Sequence, residues 1–216
     1  MVFIEEHILR CRLSVVGLIV IVALAAPSGI MPVTAQTAVL VCIDPGHGGS
    51  ETGSSGGGIL EKDLNLNVAF NLGAELQSRG YAFVYTRTDD TNPSRTARAQ
   101  FCNAAGATVL ISVHHNGSSN TTTNYTTALY QKRVDKPLAA AVSQAVAPAT
   151  TGSTPRTGQF ASAVLLKSDM PATISEGYFL TNPGEQVKLS DFTGSCTYCQ
   201  TEAAAIANGI SAYLGV

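Results

Sequence analysis

Ile43-Asp44-Pro45-Gly46-His47-Gly48-Gly49 is the stretch from which the rest of the chain can be read. It closes an apolar run, Ala38 to Ile43, whose composition and length predict a buried strand. Pro45 ends that strand, and the glycines that follow let the backbone turn sharply. A single imidazole, His47, is thereby carried on a tight loop at the end of a strand. That is where open α/β sheets place ligands and catalytic groups.

Downstream the same arrangement returns. The Gly-rich segment from Ser50 to Gly58 predicts a flexible loop beside His47, and Glu61 then opens a helix. Leu64, Val68, Leu72 and Leu76 recur every four residues on one face of that helix, and Gly80 stops it. A carboxylate in the first turn, such as Glu61, is favoured by the helix dipole alone. Tyr81 to Thr86 predicts a second strand, and Ser94 a cap for a helix running to about Ala105 with Arg95 and Arg98 on it. Thr108 to Val113 is the clearest buried strand and delivers His114, His115 and Asn116 at its end.

The segment Gly117 to Thr127 is a polar loop, followed by a short strand over Ala128 to Gln131 and a helix from Pro137 to Ala147. Thr150 to Gly158 reads as a loop. Pro171 to Phe179 reads as a strand that carries one acid, Glu176, among apolar and small residues. Carboxylates in such surroundings are rare unless paired or bound to a metal. A last helix is expected over Glu202 to Leu214, with Ala205, Ile206, Ile210 and Leu214 on one face. Alternating strands and helices predict one α/β domain.

The gross numbers narrow the class. The 216 residues are 45% apolar and only 13% charged, so a sizeable core can form. A formal charge of −2 argues against a nucleic-acid partner. Residues 1–35 read as a signal peptide: Arg10 and Arg12 precede the apolar run Leu13 to Ala26, and Val33-Thr34-Ala35 is a small-residue cleavage pattern. An uncleaved membrane anchor is the alternative, although the run is short for a span of roughly 20 residues. Residues 36–216 then form the mature, exported domain, in the periplasm or at the cell wall. Cys42, Cys102, Cys196 and Cys199 allow three pairings between them. A small disulfide loop at Cys196-Thr197-Tyr198-Cys199, ahead of the last helix, is the preferred reading, while Cys42 and Cys102 are either free thiols or partners.

His47, Glu61, His114, His115 and Glu176 are the polar residues at strand ends. Two imidazoles and a carboxylate around an open fourth position make a catalytic zinc site, and the ion lowers the pKa of bound water to about 7. A second carboxylate must then move a proton to the leaving nitrogen. The absence of H-E-x-x-H from the sequence argues against a helical zincin site.

Four ordered motifs carry a family resemblance. They are Asp44-Pro45-Gly46-His47-Gly48-Gly49, Glu61-Lys62-Asp63-Leu64-Asn65-Leu66, Ser112-Val113-His114-His115-Asn116, and Ser175-Glu176-Gly177-Tyr178-Phe179-Leu180-Thr181-Asn182. The chain from Val39 to Leu214 resembles the zinc-dependent N-acetylmuramoyl-L-alanine amidases of the amidase-3 family. The resemblance implies a twisted, mostly parallel sheet of about six strands with helices on both faces. It implies one Zn2+ ion held by His47, Glu61 and His114, with Glu176 as the general base and acid for the zinc-activated water. It implies peptidoglycan as substrate, cut between N-acetylmuramic acid and the L-alanine of the stem peptide. Arg95, His115 and Asn116 are candidates for substrate contact or for support of the ligands; a small residue is usual at the position of His115. A monomer is expected, with a protein activator as a candidate partner. Another zinc peptidase or amidase of the wall, or a catalytically silent wall-binding module, are the alternative readings.

Overall fold

The computed structural model describes residues 39–216. The signal-peptide reading of residues 1–35 lies outside them. In chain order the elements are β1 (Leu40–Pro45), β2 (Ser55–Gly56), β3 (Ile59–Leu60), α1 (Glu61–Ser78), β4 (Ala82–Tyr85), α2 (Arg95–Ala104), β5 (Val109–Asn116) and β6 (Thr127–Tyr130). A 3-10 turn, Arg133–Asp135, leads into α3 (Lys136–Ala149), followed by β7 (Thr157–Gln159), α4 (Ala163–Leu166), β8 (Ala172–Phe179), α5 (Pro183–Lys188) and α6 (Thr197–Leu214).

Six strands form one sheet in the order β4-β1-β5-β8-β6-β7. Every neighbouring pair is parallel except β6 with β8, which is antiparallel. The expected mostly parallel, roughly six-stranded α/β domain is what forms. Central strands bury both faces because side chains alternate along them. Val41, Ile43, Val109, Ile111 and Val113 point to one side, where they meet Leu64, Val68, Leu72 and Leu76 of α1, Leu138 and Val142 of α3, and Ile206 and Ile210 of α6. Cys42, Leu110, Ala172 and Ile174 point to the other, against Cys102 of α2 and Val164 and Leu165 of α4. The four α1 residues are fully buried. Each such side chain contributes about 1.5–3 kcal/mol through removal from water.

Among the described residues two disulfides are present, Cys42–Cys102 and Cys196–Cys199. The first staples β1 to α2 through the second core. The second differs in position from the expected pre-helix loop: α6 begins at Thr197, so the Cys196-to-Cys199 bridge lies across its first turn. The early start has a local cause, since the Asp191 carboxylate accepts from the Thr197 backbone N–H at 2.9 Å and from its hydroxyl at 2.8 Å. Asp191 thus takes the part of a capping side chain. The stretch read as a loop up to Gly158 contains the start of β7, an edge strand of only three residues and therefore too short to show periodicity.

The parallel order sets the position of the site. β1, β5 and β8 lie side by side and end together. Pro45 is in register with Val113, and His114 with Glu176. Three loops leave the C-terminal edge at this point, as the switch-point rule requires.

Candidate metal centre

The turn after β1 is held from behind by two buried arginines. Arg98 of α2 donates through Nη1 to Asp44 Oδ1 at 2.9 Å and to Pro45 O, and through Nη2 to His47 O at 2.7 Å. Arg87, just after β4, donates to Pro45 O at 2.9 Å and to Gly46 O at 2.9 Å. Asp44 is itself fully satisfied by Arg98, the Thr86 hydroxyl and the Ser112 hydroxyl. These bonds hold His47 in the left-handed region, at φ 61°. A residue other than glycine adopts that conformation at a cost of order 1–3 kcal/mol, and only where its surroundings fix it.

Glu61 is the first residue of α1 and is buried. Its Oε1 lies 3.2 Å from His47 Nε2 and 3.0 Å from His114 Nδ1. The two imidazoles meet edge to face, with ring centroids 4.8 Å apart. One ligand atom from each of His47, Glu61 and His114 lies within 4.8 Å of the other two. Burial works to raise the Glu61 pKa, but hydrogen bonds and charge from His114 and His47 outweigh it and hold the carboxyl well below the usual carboxylate range. Burial likewise opposes charging of His114, yet its bond to Glu61 and the nearby acids raise its pKa. The backbone helps: Ser54 N donates to Glu61 Oε2 at 2.7 Å, and His115 N to Oε1 at 3.2 Å.

Glu176 stands beside this group on β8, paired in register with His114. Its Oε2 is buried and has no hydrogen-bond partner among the described residues. Burial pushes the Glu176 carboxyl up, the charge of His114 opposing this and that of Glu61 adding to it. A buried, unpaired carboxylate oxygen next to two imidazoles and a second carboxylate is the environment a proton carrier needs. Two imidazoles and one carboxylate, partly open to solvent, also match the donor set of a catalytic metal site. The residues therefore fit a metal ion.

Two depressions flank the group. One, of about 570 Å³, runs past Arg95, Ser162, Phe160 and Asn92; the other, about 650 Å³ and shallower, is lined by Ser54, Asn116, Ser118 and Thr181. Glu176, His47 and His114 border both. Arg95 thus lines one of the two depressions and Asn116 the other. His115 borders the second depression, but its side chain is not exposed there. Neighbouring strand residues point to opposite faces, and the His115 ring is fully buried on the α1/α6 side, so a substrate-facing role for it is excluded by its position.

Sequence reasoning placed Arg98 on its helix without assigning it a role, and missed Arg87, because a lone basic residue reads as surface. It also missed Glu202, a fully buried acid on α6 that bonds to His115. The signal was partial: Glu202 is followed by the small, apolar run Ala203 to Ala207, but is preceded by the polar Gln200 and Thr201.

An α/β domain with a His–Glu–His group and an adjacent buried glutamate at its strand ends has the make-up of a metal-dependent hydrolase. Comparison with known proteins identifies the family. Residues 41–212 match the Amidase_3 model, N-acetylmuramoyl-L-alanine amidase, and the chain belongs to that family. It is 32% identical over 187 residues to the N-acetylmuramoyl-L-alanine amidase LytC of Bacillus subtilis, a match covering 84% of this chain but 36% of LytC. The chain therefore spans little more than a third of that relative. Among solved structures, the catalytic domain of CwlV from Bacillus (Paenibacillus) polymyxa superposes with a TM-score of 0.75 at 30% identity, covering 82% of this chain and 99% of that one. An N-acetylmuramoyl-L-alanine amidase from Clostridium difficile gives 0.74 at 33%, covering 82% and 97%.

Proposed function

We propose that residues 36–216 form a zinc-dependent amidase that hydrolyses the bond between N-acetylmuramic acid and L-alanine in peptidoglycan. The observation that carries the reading is the convergence of His47, Glu61 and His114 within 4.8 Å, beside a buried and unpartnered Glu176 oxygen. Family membership supports the substrate class. His47, Glu61 and His114 would hold one Zn2+ ion, which supplies a Lewis acid for the amide carbonyl and lowers the pKa of water bound to it.

The protein's own residues do the remainder. Glu176 would accept the proton of the attacking water and deliver it to the leaving nitrogen of L-alanine, so that the nitrogen departs as an amine rather than as an amide anion. Burial favours the protonated form of Glu176, which suits the second half of that exchange. Arg95, exposed on the rim of the 570 Å³ depression, would meet an anionic stem peptide, and Asn116, lining the other depression, would hydrogen-bond to the substrate there. Residues 1–35 would export the chain to the periplasm or wall, in keeping with two disulfides in the domain. Among the described residues no helix is long and apolar enough to cross a membrane. The domain would act as a monomer, with a protein activator as its candidate partner.

The test is mass spectrometry of muropeptides digested by the domain from Gln36 onward, with chelator and then with added zinc. Release of a stem peptide beginning with L-alanine, lost on chelation and restored by zinc, is expected. Glu176→Ala should keep zinc and lose turnover by at least about 100-fold, the low end for a general acid–base group. Cleavage at another bond, or undiminished turnover by Glu176→Ala, would refute the assignment.

A further inference from the structure

Behind the metal-facing group lies a closed chain of polar side chains that the reaction does not itself require. Asn65, one turn along α1 from Glu61, is fully buried. Its Nδ2 donates to Gly46 O at 3.2 Å and to Glu61 Oε1 at 3.3 Å. Both partners can only accept, so the amide has one possible orientation, with Oδ1 directed to the other side. There Oδ1 lies 2.8 Å from His115 Nδ1, which must therefore carry a hydrogen and donate it. His115 Nε2 in turn lies 2.9 Å from Glu202 Oε2. One proton sits between this nitrogen and oxygen, whichever of them owns it. The side chains of His115 and Glu202 are both completely buried, so neither can trade this bond for water.

The surroundings are shaped for this couple. A Cβ on Gly177 would fall 2.1 Å from Glu202 Oε1, so the carboxylate occupies space that any other residue beside Glu176 would fill. The Tyr178 ring packs on His115, centroids 4.5 Å apart. A buried carboxylate with one oxygen unpartnered among the described residues is costly. It is retained at the end of a chain whose other end is the candidate metal ligand.

We propose that Glu202, acting through His115 and Asn65, is a positioning residue that fixes the orientation of Glu61 and thereby the affinity of the His47–Glu61–His114 group for its metal ion. The proposal rests on the reading that this group holds a metal. Glu202 fixes the ring of His115, His115 fixes the amide of Asn65, and Asn65 holds Glu61 Oε1 toward both histidines. Partners of this kind behind a ligand typically change metal affinity by 10–100-fold.

The test uses the domain from Gln36 onward and measures zinc affinity by competition with a chromophoric chelator, alongside circular dichroism and Tm. Glu202→Met keeps the volume and leaves His115 Nε2 unpartnered; it should weaken zinc binding about 10–100-fold in the folded protein. Glu202→Gln still offers a donor to neutral His115 and should restore affinity to near wild type. Glu185→Met removes another buried acid, bonded instead to Tyr198 and Lys188; it should lower Tm and leave zinc affinity unchanged. Wild-type affinity in Glu202→Met, or an equal loss in Glu185→Met, overturns the proposal. Should Glu202→Met fail to fold, Asn65→Leu decides, because wild-type affinity there breaks the chain at its last link. Muropeptide cleavage by the wild type is scored separately. Zinc binding without cleavage removes the proposed activity and leaves the positioning role standing, cleavage with an unaffected Glu202→Met does the reverse, and a wild type that binds no zinc removes both.

Discussion

Gly46→Ala is the sharpest probe of the candidate centre, because the three heavy atoms nearest to the added methyl group all belong to the His114 ring. A Cβ at position 46 would lie 2.1 Å from His114 Nε2, 2.2 Å from its Cε1 and 2.5 Å from its Cδ2. Ordinary contact begins at about 3.4 Å, so the imidazole must retreat by more than an ångström. Gly46 is not in the left-handed region, so alanine brings no backbone strain and the effect falls on the ring. A ring is a movable obstacle: the fold should survive with a loss of about 1–3 kcal/mol, the usual cost of overpacking. The metal site should not survive intact, since ligand distances tolerate only about ±0.2 Å. Zinc affinity should drop at least about 100-fold, beyond the 10–100-fold typical of changes to groups that merely support a ligand. Chelator competition measures it, with circular dichroism to show that the domain is folded and muropeptide cleavage as the second readout. Folded Gly46→Ala protein with wild-type zinc affinity would mean that His114 is not a ligand, or that its ring has another position equally close to Glu61.

Three further outcomes follow from the same geometry. Arg98→Ala removes the partner of buried Asp44 and the donor to His47 O; stability to urea should fall by about 3–5 kcal/mol, as for a broken buried ion pair, and wild-type stability would show that the turn after β1 holds itself. Replacing Cys42 and Cys102 together by serine opens a crosslink spanning 60 residues; the chain-entropy estimate is about 4 kcal/mol, and no change in the urea midpoint would place the restraint in the packing of α2 instead. Glu176→Gln should stabilise the metal-free domain at neutral pH. The folded-state pKa of this acid is raised, so its charged form costs stability above the folded pKa, and that cost vanishes as pH falls below the unfolded value. Thermal melts against pH should show the gain at pH 7 and its loss in acid; a lower Tm for the variant at pH 7 would contradict the sign.

Continuous apolar runs made the central strands legible, and period-four spacing the largest helices. Thr108 to Val113 and Ala38 to Ile43 are uniformly apolar because both of their faces are covered, and the spacing of Leu64, Val68, Leu72 and Leu76 marks the single face of α1 that is buried. Elements whose stability comes from elsewhere left no such trace. β7 has three residues and is held by pairing with β6. The first turn of α6 depends on a carboxylate six residues upstream. The site divides along the same line. His47, Glu61, His114 and Glu176 stand at the ends of periodic elements, next to turn residues that announce an interruption. Arg87 and Arg98 work through carbonyl oxygens, which have no sequence signature.

That division has a consequence for how the centre is built. The metal-facing atoms come from the turn after β1, the first residue of α1 and the end of β5, and the turn by itself would be the least rigid of the three. Each is tied to a regular element through a buried polar residue. Arg98 on α2 ties the His47 turn, Asn65 on α1 ties Glu61, and Glu202 on α6 ties His115 and, through it, the end of β5. The three ties enter from both faces of the sheet. The group is therefore fixed against the helices rather than against its own loops, and the strain of a left-handed His47 can persist because Arg98 holds its carbonyl oxygen. If so, Arg98→Lys should be the more revealing variant. It keeps the charge beside Asp44 but cannot reproduce the five donor contacts to Asp44, Pro45, His47, Asn92 and Pro93. The domain should remain folded while zinc affinity falls, because His47 loses its anchor before the core loses its packing. Equal zinc affinity in a folded Arg98→Lys protein would show that the turn carries its own strain without the guanidinium.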